Sequence, residues 1–256
     1  MASVDVVIPV LNEERALPGC LETLRGFLST ELAEHRWRIV VADNGSTDGT
    51  LAVAEASAKE HPGEVACVHL DVRGRGRALR RAWGESTADV LSYMDVDLST
   101  GLEAFPPLVR AVASEGYDVA IGSRLAKGAR TTRSLKREGI SRIYNMVIRL
   151  SMGTHFTDAQ CGFKALSRAA ADVLVPAVEN NHWFFDTELL VIAERRGFRI
   201  KEVPVEWRED TDTRVKVVAT MIEDLKGLAR LRLRGIPPID PPTGEPPTSG
   251  PPTGGP

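Results

Sequence analysis

Five apolar runs rich in β-branched residues recur at 4–10, 37–42, 65–70, 90–94 and 117–122, and each breaks off in a polar or charged loop. Between the first two, Leu17, Leu21, Leu24 and Leu28 repeat at helical spacing. Short runs of this kind read as strands, and strand–helix alternation requires right-handed crossovers, hence a mostly parallel sheet with helices on both faces. The expected fold class is α/β, a single Rossmann-like sheet flanked by helices.

With 256 residues, 43% hydrophobic and 26% charged, the chain can bury one full core, expected over residues 1–236. Residues 237–256 are Pro, Gly, Thr and Ser with two acids and one Ile, and are expected to form a disordered tail. A net charge of −3 gives no global argument for nucleic acid, so an anionic partner must be met by local clusters. Cys20, Cys67 and Cys161 are far apart, which fits reduced thiols and neither a zinc site nor a disulfide framework. The first residues lack a basic region, and no stretch reaches about 18 apolar residues. The expected location is cytoplasmic, or at most peripheral on the inner face of the cell membrane.

Chemistry collects where the runs end. Asp95 and Asp97, one residue apart after the run at 90–94, sit where open α/β sheets bind ligands. They hold a divalent cation against a diphosphate, or Asp97 or Ser99 caps the helix expected from Leu102. Pro9 cannot donate to a sheet ladder and belongs at its strand end. Asp43 opens a loop that closes on Thr47 or Asp48 as a helix cap; it accepts hydrogen bonds from a nucleobase or ribose, or simply makes a turn. The loop is not a calcium site, because the twelfth position from Asp43 is Ala54 where a bidentate Glu is needed. Gly74 and Gly76 match only part of a dinucleotide fingerprint, yet with Arg73, Arg75 and Arg77 they suit a phosphate at a helix start; the alternative is a solvated basic helix face.

The second half is less regular. Arg124 to Arg149 holds eight basic residues against one acid, Glu138, a cluster that asks for an anionic partner. A helix is expected at 140–150, a loop entering a strand at 158–166, a helix from Trp183, a last strand at 199–207 and a last helix at 215–234. Asp186 is either a helix cap or a reacting carboxylate, and Glu188 a complement to the helix dipole. Lys226, Arg230, Arg232 and Arg234, interleaved with leucines, suit a helix C-terminus or an anionic bilayer.

In order along the chain, the stretches 7–14, 43–50, Asp95-Val96-Asp97 and Gly122-Ser123-Arg124 resemble the inverting glycosyltransferases of family 2, which have a GT-A fold. The resemblance covers residues 4–234. Within that family the chain is similar to polyprenyl-phosphate (dolichyl-phosphate) hexose synthases, and the stretches 158–164 and 185–190 lie closer to the β-glucosyltransferases than to the mannosyl enzymes. It departs from the family pattern at 210–216, where a Ser usually precedes the basic residue, so either Arg214 or Lys216 makes the phosphate contact.

The resemblance implies a nucleotide-diphosphate sugar donor, a polyprenyl-phosphate acceptor at a membrane surface, and Mg2+ or Mn2+ on Asp95 and Asp97. Donor recognition falls to Pro9, Leu11, Asn12, Glu13, Asp43, Arg73, Gly74, Arg75 and Val96, with C-terminal helices on the acceptor side. Arg124, Arg130, Arg133 and Arg137 orient an acceptor phosphate, which is already anionic and needs no strong base. A neutral hydroxyl acceptor would need one, with Asp158 and Asp186 the first suspects. The rival readings are GDP-mannose as donor, a metabolite or surface polysaccharide as acceptor, and a non-catalytic nucleotide-sugar-binding regulator.

Overall fold

The computed structural model describes residues 1–132, 135–208 and 217–242, without the side chains of 135–137 and 217–219. The five expected strands are present as β1 (Ser3–Val10), β2 (Arg36–Asp43), β3 (Val65–His69), β4 (Val90–Met94) and β5 (Val119–Ser123), with ends moved by two residues at most. The helices between them are α1 (Leu17–Glu31), α2 (Thr50–Glu60), α3 (Arg75–Glu85) and α4 (Phe105–Ala113). Then follow β6 (Arg130–Thr132), α5 (Leu135–Met152), β7 (Phe163–Ser167), α6 (Arg168–Ala177), α7 (Phe185–Arg195), β8 (Ile200–Pro204), β9 (Glu206–Arg208) and α8 (Val217–Arg234).

Seven strands form one sheet in the order β3-β2-β1-β4-β7-β5-β8, and β6 pairs with β9 in a second. Only β7 is antiparallel in the large sheet, against both β4 and β5. Its reversed direction sets the site. With Met94 opposite Phe163, the loop that enters β7 lies at the carboxyl end of β4.

The pleat sends alternate residues of β1 to opposite faces, Val4, Val6 and Ile8 to one core and Val7 to the other. The first core is covered by α1 and α4, through Leu17, Leu21, Leu24, Leu28, Phe105 and Leu108. Each of these buried side chains contributes roughly 1.5–3 kcal/mol. The second core takes Leu79 and Trp83 of α3, Ile148 of α5, Leu174 of α6, Leu190 of α7 and Leu228 of α8.

Several expectations are corrected. The single last strand is two: Pro204 lacks an N–H for the ladder, and after Val205 donates to Ser123 O the chain leaves β5 and pairs with β6. The helix expected from Leu102 begins as a 3-10 turn, Leu102–Ala104, before α4. Two elements were not expected, the three-residue β6 and α6, the latter capped by Ser167 Oγ accepting from Ala170 N–H.

At the expected boundary of 236, Arg196 Nε donates to Pro237 O, and Ile236 and Ile239 pack on the second core. The remainder of the expected tail, from 243, lies outside the described residues.

Near the site, α8 meets the start of α7 at Gly227. A Cβ there would stand 2.3 Å from the Phe184 ring, so the phenyl group occupies the notch that the glycine leaves.

Candidate functional site

Asp95 follows the wholly buried β4 and is half-buried where the strand ends. Arg75, at the start of α3, donates through Nη2 to Asp95 Oδ1 at 2.5 Å and through Nη1 to Asp186 Oδ2 at 2.7 Å. Its guanidinium also lies over the rings of Tyr93, at 4.8 Å, and Trp183, at 5.2 Å. Beneath it, Tyr93 Oη donates to Asp186 Oδ1, and Lys164 Nζ stands 3.2 Å from that same oxygen. Lys164 is 1% exposed and also donates to Tyr93 Oη and Cys161 O, at 3.0 and 2.7 Å.

Two cations and two carboxylates thus balance in a cluster that is buried except at Asp95. Burial alone would lower the Arg75 pKa, but Asp95, Tyr93 and Asp186 outweigh it and hold the guanidinium charged. Burial pushes the Tyr93 phenol well above its ordinary range. Asp95 has little freedom on its other side: a Cβ on Gly162 would fall 1.8 Å from Asp95 Oδ2, so only glycine fits there.

Asp97 is exposed, and its Oδ1 accepts from Ser99 N–H at 3.0 Å, a local turn rather than a helix cap. The 3-10 turn at Leu102 has Gly101 as its N-cap and no side-chain cap, which corrects the capping alternative for Asp97 and Ser99. Val96 packs on the first core. Leu98, at φ 48°, and Asn12, at φ 58°, are the non-glycine residues with positive φ among those described. Both lie in loops at the carboxyl ends of strands, where strained backbone concentrates around ligand sites.

The loops after β1 and β2 are stitched together. Asn12 N–H donates to Ser46 Oγ at 2.9 Å, Asn12 Oδ1 accepts from Thr47 N–H at 2.8 Å, and Glu13 N–H donates to Thr50 Oγ1 at 2.7 Å. Pro9 is opposite Ala42 in the ladder and Leu11 is half-buried. The N-cap of α2 is Gly49 rather than Thr47 or Asp48, although Asp48 Oδ1 accepts from Thr50 N–H at 3.0 Å. Bonds from Thr50 lead the causes that hold the Asp48 carboxyl below its ordinary range.

Asp43 is fully buried, with Oδ2 2.6 Å from His69 Nδ1 and Oδ1 accepting from Ser46 N–H at 3.3 Å. The hydrogen bond to Asp43 raises the His69 pKa. In this arrangement Asp43 shapes the loop through His69 and Ser46.

In the 73–77 stretch a Cβ on Gly74 would meet Asn181 O at 2.6 Å and one on Gly76 would meet Phe185, so both glycines permit close chain packing. Arg75 is turned inward toward Asp95 and Asp186, while Arg73 is exposed with its carbonyl accepting from Arg77 Nη1 at 2.8 Å.

On the far side, Arg124 makes a two-pronged pair with Asp158, Nε to Oδ2 at 2.7 Å and Nη2 to Oδ1 at 2.8 Å, and lies over Trp207 at 5.5 Å. Asp158 is fully buried. Burial pushes its carboxyl up, but Arg124 outweighs that and holds it below the ordinary range. Asp158 and Asp186 are thus both buried and paired with cations, and the Arg124 guanidinium faces Asp158.

Arg130 is exposed on β6. Arg133, Arg214, Lys216 and the Arg137 side chain lie outside the described residues. The cysteines are free, and burial pushes the Cys161 thiol up to about 12. Sequence reasoning missed His69, Lys164 and Trp183.

The donor set at β4 suits a hard divalent cation. Asp95 and Asp97 offer oxygen only, and the described residues hold no cluster of three His, Cys, Asp or Glu that would form a closed cage. Mg2+ commonly binds in this way, through one or two carboxylates with substrate phosphates completing the shell.

A mostly parallel sheet with one reversed strand and this carboxylate pair at a strand end defines a GT-A glycosyltransferase fold. The glycosyl transferase family 2 model matches residues 5–175, and the chain belongs to that family. Glycosyltransferase AglD of Haloferax volcanii is 41% identical over 236 residues, which is 90% of this chain but 36% of AglD. The dolichyl-phosphate beta-glucosyltransferase of Drosophila melanogaster is 32% identical over 216 residues, 80% of this chain and 66% of that protein. The chain thus spans about a third of one relative and just under two thirds of the other.

Among solved structures, glucosyl-3-phosphoglycerate synthase from Mycobacterium tuberculosis in complex with UDP superposes with a TM-score of 0.67 at 22% identity, covering 91% of this chain and 81% of that one. The same enzyme with Mn2+ and UDP-glucose gives 0.65 at 20% identity, covering 91% and 80%. That likeness establishes the fold.

Proposed function

We propose that the protein transfers a hexose, glucose, from a nucleotide-diphosphate sugar to a polyprenyl phosphate, with inversion and with a divalent cation. The observation that carries the reading is the carboxylate pair at the end of β4, Asp95 clamped between Arg75 and Gly162 and Asp97 exposed beside it. Similarity to dolichyl-phosphate beta-glucosyltransferases supports the acceptor class and the sugar.

Mg2+ or Mn2+ held by Asp97, with Asp95 beside it, would supply Lewis-acid stabilisation of the leaving diphosphate. The chain's own residues do the rest. The stitched loops around Asn12, Ser46 and the Asp43–His69 pair form the nucleoside wall, and the neutral cluster of Arg75, Lys164, Asp95 and Asp186 fixes the floor. The exposed Arg130, with Arg133 and Arg137 of the same basic stretch, orients the acceptor phosphate, whose anionic oxygen attacks opposite the diphosphate without a protein base. Asp158 serves by positioning Arg124 and the loop into β7.

A donor screen tests the reading: UDP-glucose and GDP-mannose against a polyprenyl phosphate and against 3-phosphoglycerate, with and without Mg2+ or Mn2+. Transfer from UDP-glucose to the lipid phosphate is expected. Transfer to the soluble phosphate alone would replace the acceptor, and no transfer with any pair would favour a binding protein. In the same assay Asp97→Ala should lose a hundredfold or more, on the order seen when one transition-state stabiliser is removed. It should also weaken Mn2+ binding measured by electron paramagnetic resonance with UDP present. Unchanged Mn2+ binding and transfer would remove Asp97 from the metal site.

A further inference from the structure

Three aromatic residues, Trp183-Phe184-Phe185, lead into α7, and they are treated differently. Phe184 and Phe185 are 0% and 1% exposed, the first in the Gly227 notch and the second 6.1 Å from the Trp83 ring. Trp183 is 42% exposed. Lone exposed hydrophobic residues need no explanation in general, but this one stands over the guanidinium that holds Asp95.

We propose that Trp183 is a specificity-determining residue whose open surface packs against the donor hexose; the inference rests on the nucleotide-sugar reading above. The argument is one of reach and chemistry. The hexose of a nucleotide-diphosphate sugar is bonded to the terminal phosphate, so with the diphosphate at Asp95 and Asp97 the sugar lies one bond further on. Trp183 is 5.2 Å from the Arg75 carbon whose Nη2 bonds Asp95, within the reach of one sugar ring from that carboxylate.

The electron-rich face of an indole repels a phosphate and attracts weakly positive C–H groups. A pyranose presents C–H groups on its faces, and a hydroxyl turned axial on the packed face disturbs that contact, so the platform discriminates between epimers. The nucleoside belongs to the opposite wall, around Asn12 and Asp43. Neighbouring bonds fix the platform: Asn181 O accepts from Arg77 N–H at 3.1 Å, and Asn180 N–H donates to Glu188 Oε2 at 2.9 Å.

The test separates the sugar from the nucleotide. Binding of UDP-glucose and UDP, with GDP-mannose and GDP in parallel, is measured by titration calorimetry with Mg2+ on the full chain and on Trp183→Ala and Trp183→Phe. Trp183→Ala should bind UDP-glucose about tenfold more weakly, the scale of one lost aromatic contact, while UDP stays within about twofold and Trp183→Phe recovers most of the loss.

Equal weakening of UDP and UDP-glucose would overturn the assignment, making Trp183 only a cover for Arg75. An effect confined to the acceptor KM would overturn it as well. If Trp183→Ala does not fold, fluorescence decides: UDP-glucose, but not UDP, should change the emission that wild type has and Trp183→Phe lacks, and an identical response to both would overturn the proposal. Wild type that binds none of the four compounds defeats the donor reading itself, whereas binding that ignores the Trp183 variants defeats this inference alone.

Discussion

In the loops after β1 and β2, carboxylates are held by amides, hydroxyls and one imidazole: Glu14 by Gly49 N–H, Asp48 by Thr50, Asp43 by Ser46 and His69. Across the site they are held by guanidinium groups: Asp95 and Asp186 by Arg75, Asp158 by Arg124, Glu179 and Glu188 by Arg230. The first arrangement orders a loop without a guanidinium partner for these carboxylates among the described residues, which suits a neutral nucleoside. The second consumes positive charge inside the fold. A count of basic residues therefore overstates what an anion meets, because three of the arginines that look available are already neutralised within the protein.

Breaking the strongest guanidinium pair should give the largest effect. Asp158→Asn leaves Arg124 charged and mostly buried without its partner, so urea unfolding should report a loss of about 3 kcal/mol. A loss under about 1 kcal/mol would mean that Arg124 behaves as a surface pair, and the contrast between the two regions would fail.

Asp224 sharpens the same contrast as a buried carboxylate held by an amide, Gln160 Nε2, at 2.9 Å. Burial pushes its pKa up to about 6. A raised carboxyl pKa favours folding below the unfolded value and loses that benefit as pH rises through the folded one. Asp224→Asn should therefore stabilise the protein at neutral pH, on the order of 1 kcal/mol, with the gain vanishing below about pH 4. An equal gain at all pH values would deny the titration.

The smallest effect belongs to the amide side. Because Asp43 raises the His69 pKa, the pair's contribution is fully present below about pH 6.5 and is lost as pH rises through the higher folded value. Thermal melts of His69→Gln against wild type should differ most at the acid end of that window and converge above it. A difference that grows with pH would show the imidazole acting as a neutral donor.

What could be read from the sequence follows from how local the signal is. Strand cores and the Asp95–Asp97 pair were legible because an apolar run and its terminating carboxylates are contiguous. The internal partners of Arg75 and Arg124 were not legible because they lie 20, 111 and 34 residues away, and spacing along the chain carries no trace of them. His69 had a usable signal: it ends β3 as Asp43 ends β2, and parallel pairing sets them side by side. Helix α6, though not expected, also had a usable signal in the stripe of Ala170, Ala171, Leu174 and Val175 behind Ser167, whereas the three residues of β6 carry no periodicity. Lys164 was hidden because a lysine inside a strand reads as a surface residue until β7 is known to lie between two others.

The Phe184 ring in the notch of Gly227 works as a pawl in a ratchet wheel. Helix α8 cannot slide along its axis without lifting Phe184, and Phe184 is covalently one residue from Trp183 and two from Asp186. The missing methyl group of one glycine thereby ties α8 to the segment that carries Trp183 and Asp186.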